Sequence, residues 1–299
     1  MTIAKKRIIY ILSGILGALG AFAAVQAVLI RGPSSFAAAN LLQGLSLGAV
    51  FGLMFGLDEG FLYASVIKPA FSRYIPRALL RGALGGAAGI LAVLLSAQLL
   101  LLTGVSVSGS GDRSSLALLG LVRGSAWFIP GAAIGSLDGI LRRSGRRALV
   151  GALGGLVGGL AGGIILELLT LLLPGSVGGP IAGFLAFGLS IGLFLGIFEE
   201  RFAYGRIRVL SGEIRNREYL LSDRVTGLGR AGSDQIRLDE YDGVQARHAA
   251  IERRGADMLL ILPGDAAVLV NDENATQRQV LKYGDVIRLG DAKLLLRTR

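Results

Sequence analysis

The sequence predicts a membrane all-α bundle of six transmembrane helices, built from a three-fold repeat of a glycine-rich helix pair, followed by an all-β sandwich. Three observations predict it. Of 299 residues, 52% are hydrophobic and only 17% charged, with mean hydropathy +0.61, whereas an average soluble domain carries about 25% charge. The composition is also uneven: residues 1–205 hold 37 of the 46 glycines and 22 charges, and residues 206–299 hold 9 glycines and 30 charges. Finally, long apolar runs give way after Arg201 to short alternating ones. The expected division is therefore a transmembrane domain at 1–205 and a β-sandwich domain at 206–299.

Each helix follows from an apolar run of the roughly 20 residues needed to cross a hydrocarbon layer of about 30 Å. The runs fall at 8–30, 36–57, 81–103, 116–140, 148–173 and 180–198. The first has 23 residues after Lys5-Lys6-Arg7, longer than the usual 7–15 of a signal peptide, which favours an anchor. One set of connections carries Lys5, Lys6, Arg7, Lys68, Arg73, Arg77, Arg81, Arg142, Arg143, Arg146, Arg147 and Arg201; the other carries only Arg31 and Arg113. Basic residues mark the cytoplasmic side, so this 12-to-2 split places both termini in the cytoplasm of a multi-pass cell-membrane protein. The net charge of +10 divides into +8 before residue 206 and +2 after it. The positive charge is thus topological and forms no nucleic-acid face.

The first helices of three pairs open alike, at Gly14-Ile-Leu-Gly17, Gly82-Ala-Leu-Gly85 and Gly151-Ala-Leu-Gly154. The second helices close alike, with Gly52…Gly56-Leu-Asp58, Gly131…Gly135-Ser-Leu-Asp138 and Gly192…Gly196-Ile-Phe-Glu199. Such duplication is either a repeated packing unit or the frame of a transporter, whose sites lie at repeat interfaces. Gly44, Gly48, Gly52, Gly56 and Gly60 recur every fourth residue, as do Gly151, Gly155, Gly159 and Gly163. Lipid supplies no hydrophobic drive between helices, so small-residue ridges provide close backbone approach instead. This predicts a tightly packed bundle, or a homo-oligomer joined through the glycine ridges.

Arg123 and Glu167 both fall about 10 Å deep at 1.5 Å per residue, so an intramembrane polar pair is expected, either pinning two helices or contacting a substrate or ion. Gln98 holds the position equivalent to Glu167 in the preceding repeat. Trp127 and Pro130 are expected to be a packing residue and a kink. The stretch from Asp58 to Arg81 interleaves Tyr63 and Tyr74 with Lys68, Arg73 and Arg77, the pattern of a segment lying at headgroups.

From residue 206 the expected strands are 206–210, 218–221, 235–238, 248–251, 258–262, 267–270, 285–289 and 293–296, separated by turn residues that include Gly212, Gly227, Gly243, Gly255 and Gly284. The ordered set Gly229-Arg230, Asp234-Gln-Ile-Arg-Leu, Val244-Gln-Ala-Arg-His248-Ala-Ala-Ile, Val270-Asn271-Asp272 and Leu281-Lys-Tyr-Gly284-Asp285-Val-Ile-Arg-Leu-Gly290 resembles a forkhead-associated (FHA) domain over essentially all of 206–299. Residues 1–205 resemble no known family.

The resemblance implies recognition of phosphothreonine peptides by loops at one end of the sandwich. Arg230 matches the family's phosphate-contacting arginine, Gly229 supports it, and His248 matches a histidine that braces the loop. Two features depart from the pattern. Gln245 stands where the family has a phosphate-binding serine, and Ala266-Ala267-Val268 replaces an Asn-Gly-Thr loop. Gln245 retains hydrogen-bonding capacity, Arg247 adds charge, and Asn271 matches a turn asparagine, so these three complete the expected phosphopeptide-binding set.

The absence of cysteine excludes disulfides and thiol catalysis, and the single histidine argues against a metal centre or a catalytic triad. No cofactor, metal or catalytic residue is implied, and the chain is not expected to be an enzyme. The expected function is a signalling adaptor or scaffold in the membrane that displays an FHA-like domain to a Thr-phosphorylated protein partner. The alternative is a small transporter or channel with a regulatory FHA-like domain.

Overall fold

In the computed structural model the described residues are 3–33, 35–64, 75–102, 113–141, 143–231, 234–264 and 266–298. The chain divides into two compact units, one spanning Ala4–Glu199 and the other containing Glu200–Arg299.

The first unit is helical: α1 Ile3–Ile30, α2 Phe36–Ala64, α3 Ile75–Leu102, α4 Arg113–Ser125, α5 Phe128–Leu141, α6 Gly145–Leu172 and α7 Gly178–Phe202, whose last turn belongs to the second unit. Six stretches among the described residues are long and apolar enough to cross a membrane: Lys6–Ile30, Ala37–Asp58, Ile75–Leu99, Leu118–Leu141, Gly145–Leu172 and Gly178–Phe202. The fourth run, expected as one helix, is interrupted at Ala126-Trp127. Pro130 has no N–H to give the Ala126 carbonyl, which instead accepts from the Ile129 amide at 3.3 Å and faces the Ser96 hydroxyl at 3.0 Å. The break thus falls one turn before the proline. Residues 65–74, the middle of the expected headgroup segment, lie outside the described residues.

Glycine sets the helix contacts. A Cβ on Gly48 would collide with the Gly85 carbonyl, one on Gly131 with the Gly155 carbonyl, and one on Gly14 with the Gly188 carbonyl. The tightest pairs are accordingly α2 with α3, α5 with α6, and α1 with α7. At the centre, Phe51, Phe187 and Trp127 meet edge to face, with ring centroids 5.8 Å apart for Phe51–Phe187 and 5.0 Å for Trp127–Phe187. Such contacts supply the dispersion energy that lipid cannot.

The second unit is a two-sheet sandwich. Its strands are β1 Gly205–Val209, β2 Glu218–Leu221, β3 Val225–Gly229, β4 Ile236–Arg237, β5 Ala249–Arg254, β6 Asp257–Ile261, β7 Val268–Val270, β8 Glu273–Asn274, β9 Arg278–Leu281, β10 Val286–Leu289 and β11 Ala292–Arg297. One sheet runs β2-β1-β11-β10-β7-β8 and the other β4-β3-β5-β6-β9. Alternate residues point inward, so Ile207, Leu228, Ile251, Leu260, Ile287, Leu289, Leu294 and Leu296 form a closed apolar core. Three strands are additional to the expected eight. Gly227, expected in a turn, sits inside β3; β8 has two residues; and β9 covers Arg-Gln-Val-Leu.

Only Ala203 and Tyr204 separate α7 from β1. Tyr204 is tied into the sandwich: its amide donates to the Leu221 carbonyl at 2.9 Å, its carbonyl accepts from the Tyr283 hydroxyl at 2.5 Å, and the Arg253 guanidinium lies 4.9 Å from its ring centre.

Candidate functional site

Strand direction decides which loops share an end. Leu228 pairs with Ala249, Ala250 with Ile261, and Leu289 with Val268. The β3–β4, β4–β5 and β6–β7 loops therefore meet at one rim, with Arg230, Gln245, Arg247, His248 and Ala266–Val268 on them. The chain enters the sandwich at Gly205, at the opposite end.

The rim is built around a buried carboxylate. Asp234 Oδ2 accepts from the Ala231 amide at 2.9 Å and the Arg247 amide at 3.1 Å, joining the β3–β4 and β4–β5 loops. Gly229 leaves the space this needs: a Cβ there would sit 2.6 Å from Asp234 Oδ2, 2.7 Å from the Arg247 nitrogen and 2.8 Å from the Gln245 oxygen. Arg247 adopts φ +52°, in the left-handed region. Its amide is thereby part of the brace, while its side chain is exposed.

His248 is 2% exposed and braces the same loops. The Gln245 amide donates to Nδ1 at 2.9 Å, which leaves the ring proton on Nε2, facing the Ala267 carbonyl at 3.3 Å. Thus the β4–β5 loop is tied to the β6–β7 loop.

Arg230 stands at the top of β3. Its amide donates to the Gln245 carbonyl at 3.1 Å, and its Nη2 donates to the Tyr241 carbonyl at 2.5 Å. Tyr241 is itself fixed, since its hydroxyl donates to the Ser211 carbonyl at 2.5 Å and burial pushes its pKa up, keeping that proton on. The guanidinium is held yet 40% exposed, with the fully solvated Asp242 carboxylate 3.7 Å away. Gln245 is exposed beside it on the rim.

Asn271 requires a correction. It follows β7, which runs away from the rim, so it lies at the opposite end of the sandwich. Its carboxamide is spent on the turn, donating to Asp285 Oδ1 and accepting from the Val286 amide, both at 2.9 Å. Asn271 shapes that turn and does not touch the rim. Asp234 and Tyr241 are the residues that sequence reasoning left without a role. Asp234 opened one of the matching segments, but one of its two amide contacts crosses a 13-residue gap.

In the helical unit, Arg123 Nε lies 3.4 Å from Glu167 Oε2, and Trp127 Nε1 donates to Glu167 Oε1 at 3.1 Å. Gln98 is exposed. A separate ionic cluster joins the ends of the helices. Lys6 and Tyr10 bond Glu199 at 2.6 and 2.8 Å, Arg81 and Arg147 pair with Asp138, and Ser13 donates to Asp58. No group of three or more ligating side chains able to hold a metal occurs among the described residues.

A β-sandwich whose end loops hold an arginine on a braced, partly solvated rim belongs to the class of interaction modules. Its family follows from direct comparison: residues 226–290 match the FHA domain, so the chain carries an FHA domain in its C-terminal unit. Three of the solved structures similar to that part are FHA domains. One is an FHA domain studied for phosphothreonine-dependent interactions, 30% identical, covering 32% of this chain and 97% of its own, with TM-score 0.29. Another is the FhaA FHA domain in complex with the intracellular domain of a second protein, 31% identical, covering 31% and 99%, with TM-score 0.28. The third is an FHA domain from Chlamydia trachomatis, 20% identical, covering 32% and 99%, with TM-score 0.30. No curated protein matches the chain.

Proposed function

We propose that this is a multi-pass membrane protein with both termini cytoplasmic, whose FHA domain recruits a threonine-phosphorylated protein to the membrane without catalysing a reaction. The observation that carries the reading is Arg230. It sits in an FHA domain, on a rim braced by Asp234 and His248, directly after six helices of membrane-spanning length. A phosphate dianion favours a pre-oriented guanidinium with backbone donors around it. Gln245 and Arg247 lie on the same rim and supply an amide and a second cation; Gly229 and His248 support them.

The six helices read as three pairs in cyclic contact, since the close pairs α2/α3, α5/α6 and α1/α7 each join the second helix of one pair to the first helix of the next. This supports the three-fold repeat. The cluster around Asp58, Asp138 and Glu199 favours a second reading, a small transporter or channel under FHA control.

The test is calorimetry of the full chain in lipid nanodiscs against matched phosphorylated and unphosphorylated threonine peptide libraries. Binding of phosphorylated peptides alone is expected. Charge-assisted hydrogen bonds contribute roughly 1.5–3 kcal/mol, so Arg230→Ala should weaken binding about 10- to 150-fold. Equal binding of both peptide forms would refute the phosphothreonine reading.

A further inference from the structure

The three acids that close the second helices are not neutralised alike. Glu199 receives the Lys6 ammonium at 2.6 Å and the Tyr10 hydroxyl at 2.8 Å. Asp138 receives two guanidinium groups, from Arg81 and from Arg147 at 3.3 Å. Among the described residues, Asp58 receives only the Ser13 hydroxyl, on Oδ1. Its Oδ2 has no hydrogen-bond partner among the described residues, although Asp58 is 3% exposed and Ser13 2%.

Sequence arithmetic shows where the cations went. Arg81 precedes Gly82 by one residue and Arg147 precedes Gly151 by four, Gly82 and Gly151 being the glycines that open their helices. The residue before Gly14 is Ser13, and the residue four before Gly82 is Ala78. At the places where Asp138 finds two arginines, Asp58 therefore finds a hydroxyl and a methyl. The Arg81 guanidinium is committed elsewhere, donating to the Phe55 carbonyl at 2.6 Å and to Asp138. Lys6 and Tyr10 on α1 and Asp138 on α5 also act on Asp58, but Lys6 and Tyr10 both bond Glu199. Among the described residues no cation is paired with Asp58. A buried carboxylate in that condition is costly, and it is relieved by gaining a positive charge.

We propose that Asp58 and Ser13 form a binding site for one small monovalent cation, a proton or an alkali-metal ion. Either supplies the charge that the missing arginines do not: a proton on Oδ2 leaves a neutral acid, and an alkali ion is shared between the carboxylate and Ser13 Oγ. The site is independent of whether the FHA rim binds phosphothreonine.

The test uses the full chain in detergent, with Asp58→Asn as the isostere of the neutral acid. Infrared difference spectra over a pH titration read the proton, as a carboxylic-acid band absent from Asp58→Asn. Thermal unfolding in sodium, potassium or choline chloride at one ionic strength reads the alkali ion, as a midpoint that rises with sodium or potassium in the wild type alone. Ser13→Ala separates the two further and remains informative where Asp58→Asn does not fold. Removing a donor to the carboxylate should raise proton affinity, or weaken alkali-ion affinity, by about 2- to 10-fold. A wild-type response in either arm that Ser13→Ala shifts supports the site. Silence in both arms overturns it, as does a response unchanged by Ser13→Ala or retained by Asp58→Asn.

Discussion

The two units both hold acids partly or wholly out of solvent, but they satisfy them by different means. In the sandwich, Asp234 is held by two backbone amides from its own loops. In the helical unit, Asp138 and Glu199 are held by long basic side chains from other helices. A helix interior has already committed its N–H groups to its own ladder, so a buried acid there must borrow a donor from a neighbouring side chain. A loop has free amides. This difference explains why the rim was foreshadowed by a linear motif, whereas the helical cluster required three dimensions.

The comparison can be tested from both sides. The largest effect is expected where helices meet through glycine. Gly48→Leu or Gly155→Leu would force apart backbones in carbonyl contact, and folded yield in detergent should fall below detection. Normal yield for both would mean that the helical unit does not depend on those contacts.

Next in size is Asp234→Ala, which strips two amides of their acceptor. Leaving a buried donor unpaired costs about 1–3 kcal/mol, so a loss of about 3 kcal/mol is expected for the sandwich by chemical denaturation, with phosphopeptide binding abolished. Asp138→Ala should cost the helical unit less, about 2 kcal/mol, because its carboxylate is 32% exposed and water can partly replace it at Arg81 and Arg147. A reversed order would overturn the contrast between the two units.

How legible each feature was depends on how local its cause is. The six long helices were readable because each apolar run contains its own reason. The break at Ala126-Trp127 was not, since the proline acts on a carbonyl one turn upstream and Ser96 of α3 faces the same carbonyl. β3 escaped because Val-Thr-Gly-Leu-Gly carries two glycines, and the partner strand β5 supplies what local propensity does not. Asn271 was misplaced for a topological reason: one short strand, β7, carries the chain from the rim to the other end. Acids at the helix ends were visible as a repeated pattern. Their partners were not, because Lys6 and Glu199 are 193 residues apart.

The position of Gly205 gives the sandwich a direction. The sandwich is fastened at one end and presents Arg230 at the other, and β11, with six residues at roughly 3.3 Å each, gives about 20 Å between them. The rim therefore lies the height of one sandwich away from Gly205. Tyr204, held by three contacts, belongs to the sandwich itself, so the domain's own fold begins one residue before β1.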